Sequence, residues 1–337
     1  MQNKTVSVDA PTKNEIVQVL IERLKAYYVF PDVAEKISAG LQKYLDEGEY
    51  TGILEGEEFA LALTLHMQEV NHDKHMWVRC HPDPLPAHEG PLYRNLAWLD
   101  EQKEQARIEN YGLHKVERLP GNVGYLEIRK FHSTSWSSET AVAAMNFLAD
   151  TEALIVDLRQ CEGGDPDMVA LISSYLFGEN PVHLNSIYWR EDDITRQFWT
   201  LPYVPGKYYN DRPIYALTSK NTFSGGEEFV YNLKTRQRGT LIGETTGGGA
   251  NPGSTHRLHP HFEAFIPSGR PINPITGTNW EGSGVAPDIS VPKEQAFEAA
   301  YGMALKYVIE KLEGRTSRPL LLLRNEAQEA LKELESS

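Results

Sequence analysis

The spacing of apolar and polar residues divides the chain into two stretches with different rhythms. Up to residue 72, apolar positions recur every three or four residues, which predicts amphipathic helices. Three stripes carry the pattern: Ile16, Val19, Leu20 and Leu24; Val33, Ile37, Leu41 and Tyr44; and Phe59, Leu63, Met67 and Val70. TKNE at 12–15 has the form of a capping box, and Pro31 is well placed to begin the second helix. We therefore expect a small helical bundle, without chemistry of its own, at the N-terminus.

Beyond residue 72, the pattern predicts strands and helices in alternation, as in an α/β domain. HMWVRC at 75–80 and NVGYLEIRKF at 122–131 are predicted strands, with a charged helical segment between them at 95–110. Continuous apolar runs, typical of strands covered on both faces, occur at 153–158, 213–218 and 239–244. Helical patterns occupy 166–177, 225–235, 293–313 and 324–335, and a hairpin is predicted at 254–266.

Composition and charge then exclude several classes of protein. A chain of 337 residues with 40% apolar composition can bury a core, and its net charge of −14 disfavours nucleic acids and anionic membranes as partners. No apolar run approaches the length of a membrane span, and the N-terminus lacks the apolar core of a signal peptide. Cys80 and Cys161 form no C-x-x-C motif. We expect a cytoplasmic protein, or a secreted or periplasmic one if a signal peptide was removed. The sequence does not decide between a monomer and an oligomer.

The residues that could carry chemistry lie in three predicted loops that are rich in glycine. These are LIVDLRQCEGGDPD at 154–167, ALTSKNTFSGGEEF at 216–229 and TNWEGSGVAPDISV at 278–291. Ser224 precedes two glycines and a predicted helix, and local sequence alone favours an ordinary N-cap. The alternative is a nucleophile whose oxyanion is bound by free helix amides. Thr222 stands where the G-x-S-x-G elbow has glycine, so that motif does not apply.

The ordered set DLRQCEGG, TFSGGEEF and NWEGSGVAPDI resembles the S41 peptidases, the family of C-terminal processing proteases and the tricorn core. YVFPDVAEKI and DKH resemble the branch of interphotoreceptor retinoid-binding protein modules, and the resemblance covers nearly the whole chain. It implies an N-terminal helical domain followed by a ββα-spiral domain of the ClpP and crotonase type. The boundaries we expect are 1–72 for the helical domain, 73–120 for a connecting segment, 121–313 for the catalytic domain and 314–337 for a helical tail.

The resemblance also implies roles for individual residues. Ser224 matches the nucleophile, His75 the histidine base of the tricorn-like branch, and Glu281 the acid that orients this histidine. The serine–lysine branch carries its lysine in the loop that is TTGGGANPG here, at 245–253. Because this loop has no lysine, a Ser–His–Glu triad is preferred to a Ser–Lys dyad. A serine peptidase that acts on peptide or protein substrates is therefore expected.

By the same resemblance, the backbone amides of Gly163 and Gly225 form the oxyanion hole, with Gly164 as the alternative to Gly163. Three departures accompany these matches. Cys161 replaces the usual asparagine, and Glu162 stands where glycine is common. Lys74 stands where the tricorn type has a serine, so Glu281 either reaches His75 or forms an ion pair with Lys74.

Several other residues could carry chemistry of a different kind. The histidines at 72 and 75, and those at 256, 259 and 261, have no acidic or thiol partner at recurring ligand spacing, so we expect no metal and no cofactor. Asp157 and Arg159 are expected to form a structural pair at a strand end. Aromatic residues between Trp189 and Tyr208 permit a different function, a catalytically silent module that binds apolar small molecules, as the retinoid-binding relatives do.

Overall fold

The computed structural model describes residues 5–87 and 95–336. The chain divides into two compact units. The first unit comprises Met1–Glu104, Ser186–Arg196 and Gly249–Ile272, and the second comprises Gln105–Asn185, Gln197–Gly248 and Asn273–Ser337.

The three N-terminal stripes form helices of the first unit: α1 (Ala10–Tyr27), α2 (Pro31–Asp46) and α3 (Gly56–Asn71). Their apolar faces make one core, which contains the buried side chains of Ile16, Leu20, Leu24, Ile37, Leu41, Phe59, Leu63 and Met67. Pro31 begins α2 as predicted. The predicted capping box at 12–15 is wrong: α1 begins earlier, and the Asp9 side chain accepts the Thr12 N–H at 2.9 Å. Asp9 is itself a favoured N-cap residue type, and it supplies the first turn with its acceptor.

A small antiparallel sheet completes the core of the first unit. Its order is β1 (Trp77–Cys80), β10 (Phe262–Pro267) and β9 (Gly253–His259), so the hairpin predicted at 254–266 is confirmed. Phe262, Ala264 and Ile266 alternate along β10 and are buried against the helices. A further sheet has the order β11 (Gly269–Ile272), β5 (His183–Trp189) and β6 (Ile194–Trp199).

The second unit is built on a six-stranded sheet with the order β12–β8–β7–β4–β3–β2. The strands are β2 (Leu113–Leu119), β3 (Val123–Ile128), β4 (Ala153–Asp157), β7 (Ile214–Thr218), β8 (Thr240–Gly243) and β12 (Ile289–Ser290). All neighbours pair in parallel except β2 with β3. The continuous apolar runs that predicted β4 and β7 are buried along their whole length.

Helices cover this sheet and frame the loops at its edge. They are α5 (Thr134–Leu148), α6 (Pro166–Phe177), α7 (Gly225–Thr235), α8 (Ala296–Lys311) and α9 (Arg318–Leu334), while α4 (Leu96–Ile108) precedes a short 3₁₀ turn at Asn110–Gly112. Alanines of α8 and α9 pack closely in the core beside β4 and β7. Because β4 and β7 are parallel neighbours, the loops that follow them emerge side by side. These two loops are DLRQCEGG and the Ser224 turn.

Among residues 5–87 and 95–336, no helix is both long enough and apolar enough to cross a membrane.

Candidate active site

Ser224 occupies the turn between β7 and α7 in a strained backbone conformation. Its φ of +51° and ψ of −119° are sparsely populated by residues other than glycine. It stands at the N-cap position of α7, as local sequence predicts, and its side chain is half-buried. Strained conformations of this kind cluster at active sites, where the surrounding structure must enforce them.

The surrounding structure enforces this turn mainly through the DLRQCEGG loop. The Phe223 N–H donates to the Cys161 carbonyl at 2.9 Å, and the Thr222 hydroxyl donates to the Leu158 carbonyl at 2.8 Å. The Gly226 N–H donates to the Phe223 carbonyl at 2.8 Å and closes the turn. The residues before and after Ser224 are therefore fixed by hydrogen bonds.

Three predicted glycines meet at this turn. A Cβ atom on Gly163 would lie 2.6 Å from the Ser224 Cβ and 2.7 Å from the Gly225 nitrogen, and Gly163 has a φ of +100°. A Cβ on Gly225 would lie 2.9 Å from the Gly164 nitrogen. Gly164 has a φ of +133° and pairs with Phe131, whose carbonyl would be only 2.0 Å from an added Cβ. Glycine is required at 163 and 164 both by close approach and by backbone conformation.

Cys161 lies beneath the first turn of α7 and is fully buried. Its sulfur would be 3.0 Å from a Cβ added to Gly226, so it fills the space there. Burial raises the pKa of the Cys161 thiol to about 12, while a hydrogen bond from the Gly163 N–H acts in the opposite direction. A thiol in this environment is unreactive and serves to fill space.

Glu227, which the sequence did not single out, is fully buried in the first turn of α7. Its Oε2 accepts the Ser224 N–H at 2.9 Å. Its Oε1 accepts the Thr246 hydroxyl at 2.5 Å and the Gly248 N–H at 2.7 Å. The signal that could have found it is a glutamate three residues after a serine N-cap, which is the capping-box spacing.

Glu281 lies half-buried in the loop of the second unit that precedes β12. Its backbone N–H donates to the Asn279 side-chain oxygen at 2.9 Å. The same loop is tied to the 245–248 segment because the Gly282 N–H donates to the Gly248 carbonyl and the Val285 N–H donates to the Thr246 hydroxyl oxygen. Within the second unit, the structure thus connects the Ser224 turn and the Glu281 loop through one hydrogen-bond network.

His75 belongs to the first unit and lies just before β1. Its side chain is buried and stacks on Phe265, with ring centroids 5.9 Å apart and planes at 28°. Burial lowers the pKa of His75 to about 4, because charging the imidazole would cost desolvation energy. At neutral pH the ring is therefore uncharged, which is the form a general base requires.

Asp73 is a second acidic group that the sequence did not assign. It is 1% exposed, and its Oδ1 accepts the His75 N–H at 3.0 Å and lies 3.9 Å from the His75 Nδ1. Its Oδ2 accepts the Tyr28 hydroxyl at 3.3 Å and the Asn251 amide at 3.0 Å. Burial raises the pKa of Asp73, and these hydrogen bonds act in the opposite direction. An acid two residues before the histidine, in DKH, is the signal that could have found it.

The expected pair at the end of β4 is confirmed as structural. The Arg159 Nη2 lies 2.6 Å from the Asp157 Oδ2, and the Tyr125 hydroxyl donates to the same carboxylate oxygen at 2.8 Å. Arg159 also donates to the Lys293 carbonyl at 2.8 Å. The pair anchors the start of the DLRQCEGG loop.

Two family models match this chain. The model described as peptidase family S41 matches residues 122–291, and the model of the N-terminal domain of peptidase S41 in eukaryotic IRBP matches residues 10–110. The chain belongs to peptidase family S41. The resemblance stated from its sequence motifs is therefore confirmed, and so is the fold class, an N-terminal helical region with an α/β core of the S41 type.

The solved structures that share this fold include two described as a peptidase or protease and one described as a lipoprotein. A candidate peptidase from Parabacteroides merdae has 18% identity and a TM-score of 0.57, covering 87% of this chain and 96% of that one. A lipoprotein from Streptococcus agalactiae has 14% identity and a TM-score of 0.55, covering 88% and 98%. The tricorn protease has 15% identity and a TM-score of 0.51, covering 96% of this chain and 37% of its own. At these identities the likeness concerns the fold alone.

Membership of family S41 makes this chain a serine-type peptidase, which acts on peptide bonds.

Proposed function

We propose that this S41 peptidase hydrolyses peptide bonds with Ser224 as nucleophile, His75 as general base and glycine amides as the oxyanion hole. The observation that carries the proposal is the strained Ser224, held at φ +51° with Gly163 and Gly225 packed against it. A cap alone needs no such strain, whereas a nucleophile presented at a sharp turn between strand and helix does.

The oxyanion hole is best formed by the amides of Gly225 and Gly164. The Gly225 N–H lies in the first turn of α7, where helix amides have no intrahelical partner. The Gly164 nitrogen lies against Gly225, at 2.9 Å from the position of a Cβ added there. We therefore take Gly164 as the second donor, with Gly163, which the family motif assigns, as the alternative. Two such amides stabilise the negative charge that develops on the carbonyl oxygen.

In the proposed reaction, the Ser224 hydroxyl attacks the substrate carbonyl and His75 accepts its proton. The tetrahedral intermediate then collapses, and the imidazolium gives the proton to the leaving amine. In the second half of the reaction, His75 takes a proton from a water molecule, which attacks the acyl-enzyme carbonyl. The imidazolium then gives this proton back to the Ser224 oxygen as the acid product leaves. The low pKa of His75 keeps the free base uncharged, and a nearby carboxylate is needed to stabilise the imidazolium that forms.

Two carboxylates are candidates for that stabilising role. Glu281 is assigned to it by the family motif WEGSGV. Asp73 is supported by geometry within the first unit, where its Oδ1 lies 3.9 Å from the His75 Nδ1. Tyr28 and Asn251 hold the other oxygen of Asp73, so this carboxylate is already oriented. Glu281 remains our proposal for the acid that orients His75. Asp73 has a supporting role, because its carboxylate accepts the backbone N–H of His75.

The proposal is tested with Ser224→Ala and a matched control, Ser336→Ala, which changes an exposed serine that follows α9. A fluorophosphonate probe and fluorescein-labelled casein serve as reagents. We expect Ser224→Ala to abolish labelling and to lower casein hydrolysis by about a thousandfold or more, while the control keeps both. Casein hydrolysis retained in Ser224→Ala would refute the assignment of the nucleophile.

A second candidate function, the binding of an apolar small molecule, is favoured by one cavity of the second unit. This cavity has a volume of about 540 Å³ and is lined by Leu171, Phe198, Trp199 and Leu201, among others. The volume is in the range of small-molecule sites. The Trp199 ring stacks on His183 at a centroid distance of 4.6 Å and is half-exposed. Saturable binding of a fluorescent apolar ligand that is lost in Trp199→Ala, with no phosphonate labelling of Ser224, would support this function over catalysis.

A further inference from the structure

The first turn of α7 contains two consecutive buried acids, Glu227 and Glu228, with different surroundings. The Glu227 carboxylate receives three hydrogen bonds, from the Ser224 N–H, the Thr246 hydroxyl and the Gly248 N–H. All three donors are close, at 2.5 to 2.9 Å. A carboxylate at a helix N-terminus is also favoured by the helix dipole.

The three donors belong to two separate segments of the chain, and one of these segments is hydrogen-bonded to a third. Ser224 is in the nucleophile turn, and Thr246 and Gly248 are in the glycine-rich loop after β8. The Thr246 hydroxyl oxygen accepts the Val285 N–H at 2.7 Å, and the Gly248 carbonyl accepts the Gly282 N–H at 2.9 Å. Glu227 is therefore the point at which the Ser224 turn, the glycine-rich loop and the Glu281 loop are joined.

We propose that Glu227 is a positioning residue of this peptidase, which fixes the strained Ser224 turn and, through Thr246, the Glu281 loop in one arrangement. This inference rests on the proposed function of Ser224. A charge-assisted hydrogen bond to the Ser224 N–H stabilises a backbone conformation that the residue would otherwise leave. Glu227 acts on the reaction only through the groups that it holds.

The carboxylate form is what this arrangement requires. Its two oxygens can accept all three donors, whereas a glutamine has one oxygen and an amide group that only donates. In Glu227→Gln, an N–H group would therefore face the Ser224 N–H, or else face Thr246 and Gly248. An unsatisfied buried donor at this point displaces one of the loops, although the side chain keeps its size.

Glu228 provides a matched control one residue along the same helix. It is also buried, but its neighbours are Asn185, Asp165 and Asp167 rather than the Thr246 and Glu281 loops. Burial raises the pKa of Glu228 to about 8, so the group is largely uncharged at neutral pH. Glu228→Gln then replaces one neutral side chain by another of the same shape.

The first experiment compares the rate of fluorophosphonate labelling of Ser224 in the full-length chain at neutral pH. We expect Glu227→Gln to lower this rate about 10- to 100-fold, because small displacements of a reacting group cost this much, and Glu228→Gln to change it less than about twofold. In the casein assay, Glu227→Gln should lower kcat and leave KM little changed. Equal labelling rates in wild type and Glu227→Gln would overturn the inference.

Thr246 variants keep the inference testable if Glu227→Gln fails to fold. Thr246→Val removes the hydroxyl that joins Glu227 to the Val285 N–H, and Thr246→Ser restores it. We expect Thr246→Val to lower kcat at least about tenfold and Thr246→Ser to recover most of the loss, because serine restores the hydroxyl. Equal kcat values for the Val and Ser variants would contradict the inference.

The experiments distinguish a failure of the proposed function of Ser224 from a failure of the proposed role of Glu227. If wild type is not labelled and Ser224→Ala keeps its activity, the proposed function is wrong and the role of Glu227 falls with it. If wild type is labelled at Ser224 and Glu227→Gln is labelled equally fast, only the role of Glu227 is wrong.

Discussion

The Ser224 turn and the His75 segment are held in place by different means. Hydrogen bonds to Cys161, Leu158 and the buried Glu227 enforce the strained turn, and glycines allow the backbone to approach. The His75 side chain is instead buried, and its backbone N–H donates to the carboxylate of Asp73. The proposed nucleophile is therefore preorganised by the backbone, whereas the properties of the proposed base depend on desolvation and on its acidic neighbours.

The largest expected effect tests the close approach at the nucleophile turn. In Gly163→Ala the new methyl group would lie 2.6 Å from the Ser224 Cβ, so either the turn or the DLRQCEGG loop must move. We expect phosphonate labelling to fall by about two orders of magnitude and the free energy of unfolding to fall by about 2–4 kcal/mol.

Gly277→Ala is the control for this substitution. Gly277 also has a positive φ, +69°, but an added Cβ would have no neighbour within 4 Å. It should therefore lose stability through backbone strain alone and keep its labelling rate. If the two alanine variants are labelled equally fast, the collision at Gly163 does not matter for the nucleophile.

A smaller effect is expected at the acid beside the base. Asp73→Asn keeps the size of the side chain and an oxygen that accepts the His75 N–H, but it removes the charge 3.9 Å from the Nδ1. Its amide group then faces the Tyr28 hydroxyl, which can also accept a hydrogen bond, and the Asn251 amide. We expect kcat to fall about tenfold, because the imidazolium loses part of its stabilisation, with little change in KM. Glu281→Gln, measured in parallel, shows which carboxylate matters more.

Lys74→Arg, which keeps the positive charge at the exposed position between Asp73 and His75, is the control for packing in this segment. It should leave kcat within about twofold of wild type, as surface substitutions commonly do. A loss in Lys74→Arg as large as that in Asp73→Asn would indicate that the segment as a whole, and not the charge of Asp73, is responsible.

An effect of a different kind, on stability rather than on rate, is expected in acid. The pKa of His75 is about 4 in the folded chain against an ordinary value of 6.5, so the unfolded chain binds more protons between these values. The stability contribution is complete above pH 6.5 and is lost as the pH falls towards 4, with a slope of about 1.4 kcal/mol per pH unit.

Urea unfolding of wild type and His75→Gln between these pH values measures the slope. His75→Gln should show a shallower loss of stability than wild type as the pH falls. The buried His256, whose pKa is also about 4, contributes to the slope that remains in His75→Gln. So do His132, His183 and His259, because burial lowers the pKa of each. Identical slopes in wild type and His75→Gln would mean that His75 is not the buried neutral base described here.

Much of the fold follows from patterns that a sequence displays directly. The stripes of α1 to α3 and the apolar runs of β4 and β7 were predicted because burial selects their residue types at fixed spacing. Strand β6, with the sequence ITRQFW, was missed because most of its side chains are exposed and no alternation results. Helix α5 was missed because its first turns are rich in serine and threonine, which favour caps and turns.

The candidate site was predictable to a different degree in its two parts. Ser224 and the glycines belong to short motifs, and the structure brings Gly163, Gly164 and Gly225 together at the serine. Glu227 and Asp73 were missed because their importance lies in long-range hydrogen bonds, to Thr246 and Gly248 and to Asn251, respectively. Spacing along the sequence does not show which distant donor faces a buried carboxylate.

The most direct test of the central claim is mass spectrometry of the fluorophosphonate adduct, with the rate of its formation in wild type and His75→Ala. The account predicts a single adduct on Ser224 in wild type and a rate at least about a hundredfold lower in His75→Ala, since the serine loses its base. An adduct on another residue, or equal rates in the two proteins, would contradict the account.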